Sequence, residues 1–207
     1  MGKQIHQDFR RITPPLEGRL IRLRAVEEHD LPRINRLFND PEVLRHLSTV
    51  TFPGPLQDTR QWWEGRFAQG GGEVRFAIET RPGELVGASS LNDVNGRTRT
   101  ATLGIWLGQP YWDQGYGTDA VATMCRFAFR EMNLQRVELH VFATNPRGQR
   151  AYEKVGFKEE GRLRRAHFVG GEHVDVIVMG LLSEDLVEPR AANRLTGSPA
   201  GGALPRS

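Results

Sequence analysis

A chain of 207 residues with 28 Lys+Arg, 25 Asp+Glu, a net charge of +3 and 38% hydrophobic residues has the size and make-up of one soluble folded domain. No stretch approaches the ~18 apolar residues of a membrane helix, and Met1 to Arg11 lacks the apolar run of a signal peptide, so a cytoplasmic protein with no membrane partner is expected. Acids are interspersed among the arginines, which predicts a solvated surface, no nucleic-acid partner and a mild preference for anionic ligands.

In chain order, residues 1–17 read as a flexible arm, 18–187 as the folded domain, and 188–207, rich in Gly, Pro, Ala and Ser, as a disordered tail. Arg19 to Arg24 alternates like a strand, and Leu31, Ile34, Leu37 and Phe38 fall at helical spacing. Pro53-Gly54-Pro55 breaks the chain before a second helix, whose apolar face carries Trp63 and Phe67. Val74 to Glu79, Leu85 to Leu91 and Thr98 to Leu107 read as an antiparallel meander turning at Arg81-Pro82-Gly83 and Asn95-Gly96. A helix over Thr118 to Met132, a strand over Arg136 to Phe142, a short helix over Arg147 to Val155 and a hairpin around Gly170-Gly171 complete the pattern. The fold class is α/β (α+β): one central mixed, mostly antiparallel twisted sheet with helices packed on it.

Cys125 is the only cysteine and sits on an apolar helical face, which reads as core; no metal site is expected, since no paired His ligand spacing occurs. Trp62-Trp63 divides between one indole in the core and one lining a pocket. The chemistry concentrates at YWDQGYGTDA, residues 111–120. Gly115-x-Gly117-x-x-Ala120 follows a strand and opens a helix, where backbone N–H groups converge at the positive helix end and suit a phosphate or pyrophosphate. Taken alone, the loop admits a plain tight turn, an anion site, or a dinucleotide site with Glu138 as the ribose-binding acid. Against the last, Glu138 stands early in its strand and an antiparallel meander precedes the loop.

That loop, the strand GIWLG (Gly104 to Gly108), NPRGQRAYEKVGF (Asn145 to Phe157) and the ending FVGGEHVDVIVMGLL together resemble the GNAT N-acetyltransferases, in particular the Rim-type group of ribosomal-protein N-terminal and polyamine acetyltransferases, over residues 18–183. Trp112 stands where the superfamily loop usually has Gln or Arg. The resemblance implies a GNAT-like domain with helices on both faces of a sheet splayed at the CoA site, and acetyl-CoA as co-substrate without a metal. It implies that the backbone amides of Gln114, Gly115, Tyr116, Gly117 and Thr118 hold the CoA pyrophosphate, and that pantetheine lies along Ile105, Trp106 and Leu107. It further implies an N–H near Leu107 as oxyanion donor, Asn145 on the pantetheine arm, Tyr152 as acid to the leaving thiolate, and Arg147 or Arg150 either on the CoA phosphates or on a solvated face.

Relatives often carry a Glu base where this chain has Thr102, so the proton acceptor must stand elsewhere. His167 is the leading alternative, because an imidazole titrates near neutrality, with Glu138, Asp93, Asp175 or a water chain behind it. The implied reaction is direct acetyl transfer to a primary amine: a protein α-amine, a polyamine or another small amine. Glu27, Glu28, Asp30, Asp40 and Glu42 could supply an acidic cluster for a polycation. A non-catalytic acyl-CoA-binding module and, more remotely, a nicotinamide-dependent oxidoreductase are the rivals; a homodimer is the implied assembly.

Overall fold

Ile21 and Leu23 point inward from the first strand, β1 (Ile21–Arg24), while Arg22 and Arg24 reach the Glu79 carboxylate on the neighbouring strand. The computed structural model describes residues 16–47, 52–65 and 73–188. After β1 come α1 (Leu31–Phe38), the single turn α2 (Pro41–Leu44) and α3 (Leu56–Gly65). The meander follows as β2 (Val74–Thr80), β3 (Leu85–Asn95) and β4 (Thr100–Leu107), and then α4 (Tyr116–Arg130), β5 (Arg136–Phe142), α5 (Pro146–Glu153), β6 (Lys158–Val169) and β7 (Glu172–Leu182).

The seven strands form one sheet in the order β1-β2-β3-β4-β5-β7-β6. Every pairing is antiparallel except β4 with β5. That parallel pairing spans only Thr100↔Arg136, Ala101↔Val137 and Thr102↔Glu138; beyond it the two strands diverge. Helices cover both faces. Val121, Met124, Cys125 and Ala128 of α4 pack on Ile78, Leu91, Leu103, Val137 and Leu139 of one face. On the other, Leu31 and Ile34 of α1 meet Ala77 and Leu85, with Trp62, Trp63 and Trp106 at the margin. Cys125 is fully buried and desolvation pushes its thiol far up, which makes it core material.

The sequence boundaries shift in places. The helix expected from Thr118 starts at Tyr116, inside the glycine loop, because Gly115 takes φ +83° at its N-cap. β3 runs on to Asn95 through a bulge, where Asp93 has φ +51°. The hairpin turns at Gly170 (φ +62°) and Gly171 (φ +87°), the pair of left-handed residues that a two-residue turn demands. Phe67 and most of the expected arm and tail lie outside the described residues. At the margins of those segments, Leu16 accepts the Leu23 N–H at 2.6 Å, and Glu188 pairs with Arg130 at 2.8 Å. No helix among the described residues is long and apolar enough to cross a membrane.

Candidate active site

The divergence of β4 from β5 opens a cleft of about 1030 Å³ through the sheet. Gly108 donates to Val86 O across to β3, so the two-residue period turns Trp106 and Gly104 the same way. The N–H groups of Ile105 and Leu107 therefore face the opening, where no protein strand pairs with them. Trp112 fixes that edge, its indole N–H donating to Leu107 O at 2.8 Å.

At the mouth of the opening stands the N-terminus of α4. No side chain caps it, and Asp119 N–H is the first to bond back, to Gly115 O at 3.1 Å. The N–H groups just before Asp119 are left to a ligand, and they carry the positive end of a 15-residue helix. A side chain at Gly117 would fill this space without striking the protein, the nearest atom to its added Cβ being Leu107 Cδ1 at 3.5 Å. Gly117 is thus dispensable for packing and matters only to what approaches from the cleft.

A carboxylate missed in the sequence secures this helix. Asp119, 5% exposed, accepts three backbone N–H groups: Arg19 at 3.0 Å, Leu20 at 2.7 Å and Ile21 at 3.1 Å. It ties the entry to β1 onto the first turn of α4. Gly18 is required by the same contact, since a Cβ there would stand 2.3 Å from Asp119 Oδ2.

The opposite wall comes from α5. Asn145 is its N-cap, and Oδ1 accepts Gly148 N–H at 3.0 Å, which leaves the Nδ2 hydrogens for the cleft. Arg147 stacks on Trp112 with its guanidinium carbon 3.5 Å from the ring centroid, and burial holds its pKa below the ordinary value. His46 meets the same indole edge-on at 5.8 Å; burial, then the Arg147 charge, lower its pKa and keep it neutral at pH 7. Tyr152 packs edge-to-face with Phe157 at 6.0 Å and lines the cleft, and enclosure by protein pushes its phenol up to about 12.

Ile105, Trp106, Leu107, Gly115, Gly117, Thr118, Asn145, Arg150 and Tyr152, all expected at the site, line this one cleft. The side chains of Gln114 and Tyr116 do not: the Gln114 amide donates to Pro110 O at 2.7 Å, and Tyr116 packs against the core. His167 is a correction. Its ring stacks on Phe142 at 4.7 Å, opposite Val174 in the outer hairpin, and it is not among the cleft-lining residues. Glu138 and Asp175 also stand apart, the first beside Arg136 at 3.3 Å, the second accepting Arg165 N–H at 2.9 Å. Asp93 does reach the cleft, as do His46 and His140, which no spacing in the sequence marked.

Through the opening, the α1/α3 side forms a second chamber. Its floor carries Arg75, Ser90, Asn92, Thr102 and His140; Phe38, Phe52 and Trp62 give it aromatic walls. Trp62 faces Arg75 at 4.9 Å, while the Trp63 indole N–H donates to Val26 O at 3.0 Å, so the tryptophan pair divides between pocket and core as expected. Three of the five acids expected to gather for a polycation are spent elsewhere. Asp30 is buried against Arg24 at 2.7 Å, Glu28 pairs with Arg60 at 2.6 Å, and Asp40 caps α2.

Residues 20–158 match the family model described as Acetyltransferase (GNAT) domain. A spermidine N(1)-acetyltransferase of Vibrio cholerae is 29% identical over 162 residues, 77% of this chain and 91% of that protein. YdaF of Bacillus subtilis, whose name assigns it provisionally to ribosomal N-acetylation, is 31% identical over 172 residues, 80% of this chain and 92% of that protein. The crystal structure of spermidine N-acetyltransferase from Vibrio cholerae in complex with CoA and spermine superposes with a TM-score of 0.73 at 26% identity, covering 80% of this chain and 97% of that one.

Proposed function

The chain belongs to the GNAT acetyltransferase family and uses acetyl-CoA to acetylate an amine, and from that premise we propose which residues carry the transfer and what kind of amine accepts it. The carrying observation is the three-pair seam between β4 and β5, which leaves the Ile105 and Leu107 N–H groups facing the cleft. Pantetheine fits there as a substitute strand, the α4 N-terminus takes the pyrophosphate, Asn145 Nδ2 donates to the pantetheine arm, and Arg147 and Arg150 face the phosphates.

The amine nitrogen attacks the thioester carbon once it has lost a proton. Negative charge then grows on the carbonyl oxygen and is met by an N–H of the Ile105–Leu107 edge. As the C–S bond breaks, its electron pair leaves with sulfur, and Tyr152 donates a proton to it. A phenol pushed up to about 12 is protonated at working pH, so Tyr152 meets the departing sulfur as a neutral O–H donor. The amide product has released two protons in all, one to sulfur by way of Tyr152 and one to solvent.

The acceptor reading follows from the second chamber. A linear polycation needs several unpaired carboxylates, and near α1 Glu28 and Asp30 are committed to arginines and Asp40 to a cap. Its walls set the aromatic rings of Phe38, Phe52 and Trp62 among Asn35, Asn39 and Thr59; Asp58 and Asp93 are the carboxylates that line it besides Glu73, which is itself held by Arg75. This supports an amine carried on an apolar or peptide body, such as a protein α-amine, over spermidine. Acetyl-CoA-dependent thiol release across N-terminal peptides with apolar first residues, aromatic small amines and polyamines tests it. Turnover with peptides or apolar amines is expected; spermidine as the preferred acceptor would overturn the acceptor reading, and CoA binding without any turnover would overturn the transfer chemistry.

A further inference from the structure

With Thr102 unable to take a proton, His167 outside the cleft and Asp93 on the β3 bulge past the level of Thr102, away from the splayed end, the structure assigns the amine's proton to His140, an inference that rests on the acetyl-transfer reading above. His140 is on β5, two residues past Glu138, and Glu138 is the register partner of Thr102. Val137, Leu139 and Val141 point into the α4 core, so Glu138 and His140 project to the other face, the one that carries Thr102 and Gly104. Continuing the register sets His140 level with Gly104 across the split, where the Ser90 hydroxyl and the Asn92 amide stand 2.8 and 3.3 Å from the place a Gly104 Cβ would take. The imidazole is exposed and lines the second chamber, where the amine must enter to reach the opening.

The same register selects among the backbone donors. Ile105 is one residue beyond the level of His140, about 3.3 Å along the strand, whereas Leu107 is three residues beyond, about 10 Å. A nitrogen that hands its proton to His140 can therefore reach a carbonyl bonded to Ile105 N–H, and the N–H of Leu107 falls to the pantetheine arm nearer the mouth. Ser90, Asn92 and Thr102 share this floor and offer hydroxyl and amide groups for one bridging water. The ammonium gives H⁺ to the neutral imidazole, the freed nitrogen lone pair forms the C–N bond, and the imidazolium returns its proton to solvent; no other reactant is needed. The acids beside His140 on the sheet are neutralised, Glu138 and Glu160 both binding Arg136.

Thiol release would be measured for the parent, His140→Ala and His140→Gln with two acceptors that the parent uses, one aliphatic and protonated at pH 7, the other an aromatic amine already neutral there. Both variants should lose about 10²-fold or more in kcat/KM on the aliphatic amine, change little on the aromatic one, and bind CoA as the parent does. Added imidazole should restore part of the His140→Ala rate. Aliphatic-amine activity within twofold of the parent, or equal losses on both amines, would overturn the assignment while the transferase reading stands. A parent that binds CoA and acetylates no amine would overturn that reading and this one together.

Discussion

Replacing Asp119 by Ala removes the acceptor of three backbone N–H groups at once, at a position 5% exposed and about a hundred residues in sequence from its partners. A hydrogen bond to a charged group contributes about 1.5–3 kcal/mol net. Three that share one carboxylate do not add in full, so a loss of about 4 kcal/mol is expected. For a chain of this size each kcal/mol moves the melting midpoint by roughly 2–4 °C, which gives a fall of roughly 8–16 °C by calorimetry or circular dichroism. Asp119→Asn should recover little. Oδ2 serves Leu20 and Ile21 and Oδ1 serves Arg19, so whichever site receives the amide nitrogen sets donor against donor. CoA affinity should also weaken in both variants, because the carboxylate braces the first turn of the helix that presents the anion site. A midpoint within about 3 °C of the parent for Asp119→Ala would show that water satisfies those amides and that the brace is dispensable.

Tyr152→Phe should lower kcat by about 10²-fold with CoA affinity unchanged, seen by pairing steady-state thiol release with calorimetry; an unaltered kcat would remove Tyr152 from the proton inventory. Gly117→Val should leave the melting midpoint of the free protein within about 2 °C of the parent, since the added Cβ meets only ordinary contact, yet abolish its rise on adding CoA. A retained CoA shift would place the ligand elsewhere. Acid stability should depend on the Arg22–Arg24–Asp30–Glu79 cluster. Burial pushes both carboxyls up, but hydrogen bonds from Arg24, with help from the Glu27 N–H at Asp30 and from Arg22 at Glu79, outweigh it and hold both below their ordinary values. A lowered folded-state pKa means that the unfolded chain binds the proton first, so their stabilisation is complete above their ordinary values of 3.8 and 4.5 and is lost as pH falls through the folded values. The Asp30→Asn/Glu79→Gln pair should be less stable at pH 7 and show a flatter decline below pH ~4.5; an unchanged acid limb would locate the acid sensitivity in other groups.

Local signals carried much of this molecule. The period switch after Leu107, the Gly170-Gly171 turn and the glycine loop opening a helix each depend on neighbours a few residues apart, and a single sequence displays such neighbours directly. Three of the four blocks that resemble the GNAT family, those forming β4, the loop and α5, line the same cleft from its two walls, while the fourth forms the outer hairpin. What stayed hidden depends on distant pairs. Asp119 looked like any acid in a first helical turn, and only the chain a hundred residues upstream reveals its three amides. The acids near α1 looked available as a cluster; their partners Arg24, Arg60 and Arg45 are spread over separate segments, so their neutralisation could not be read from composition. His167 and His140 are both strand histidines of unremarkable context. The register of β5 against β4 puts one beside the opening, and the outer hairpin carries the other away from it.

The short seam between β4 and β5 also makes the sheet mechanically incomplete. Four strands stand on one side and three on the other, joined by three residue pairs and by the helices that straddle them. A molecule seated in the gap acts as a splice, passing load from one half to the other through backbone hydrogen bonds that the free protein does not make. Loading the donor is therefore expected to stiffen the sheet, and departure of the product to relax it. Occupancy of the cleft should then be legible at a distance, as slowed amide exchange in β5 and β7.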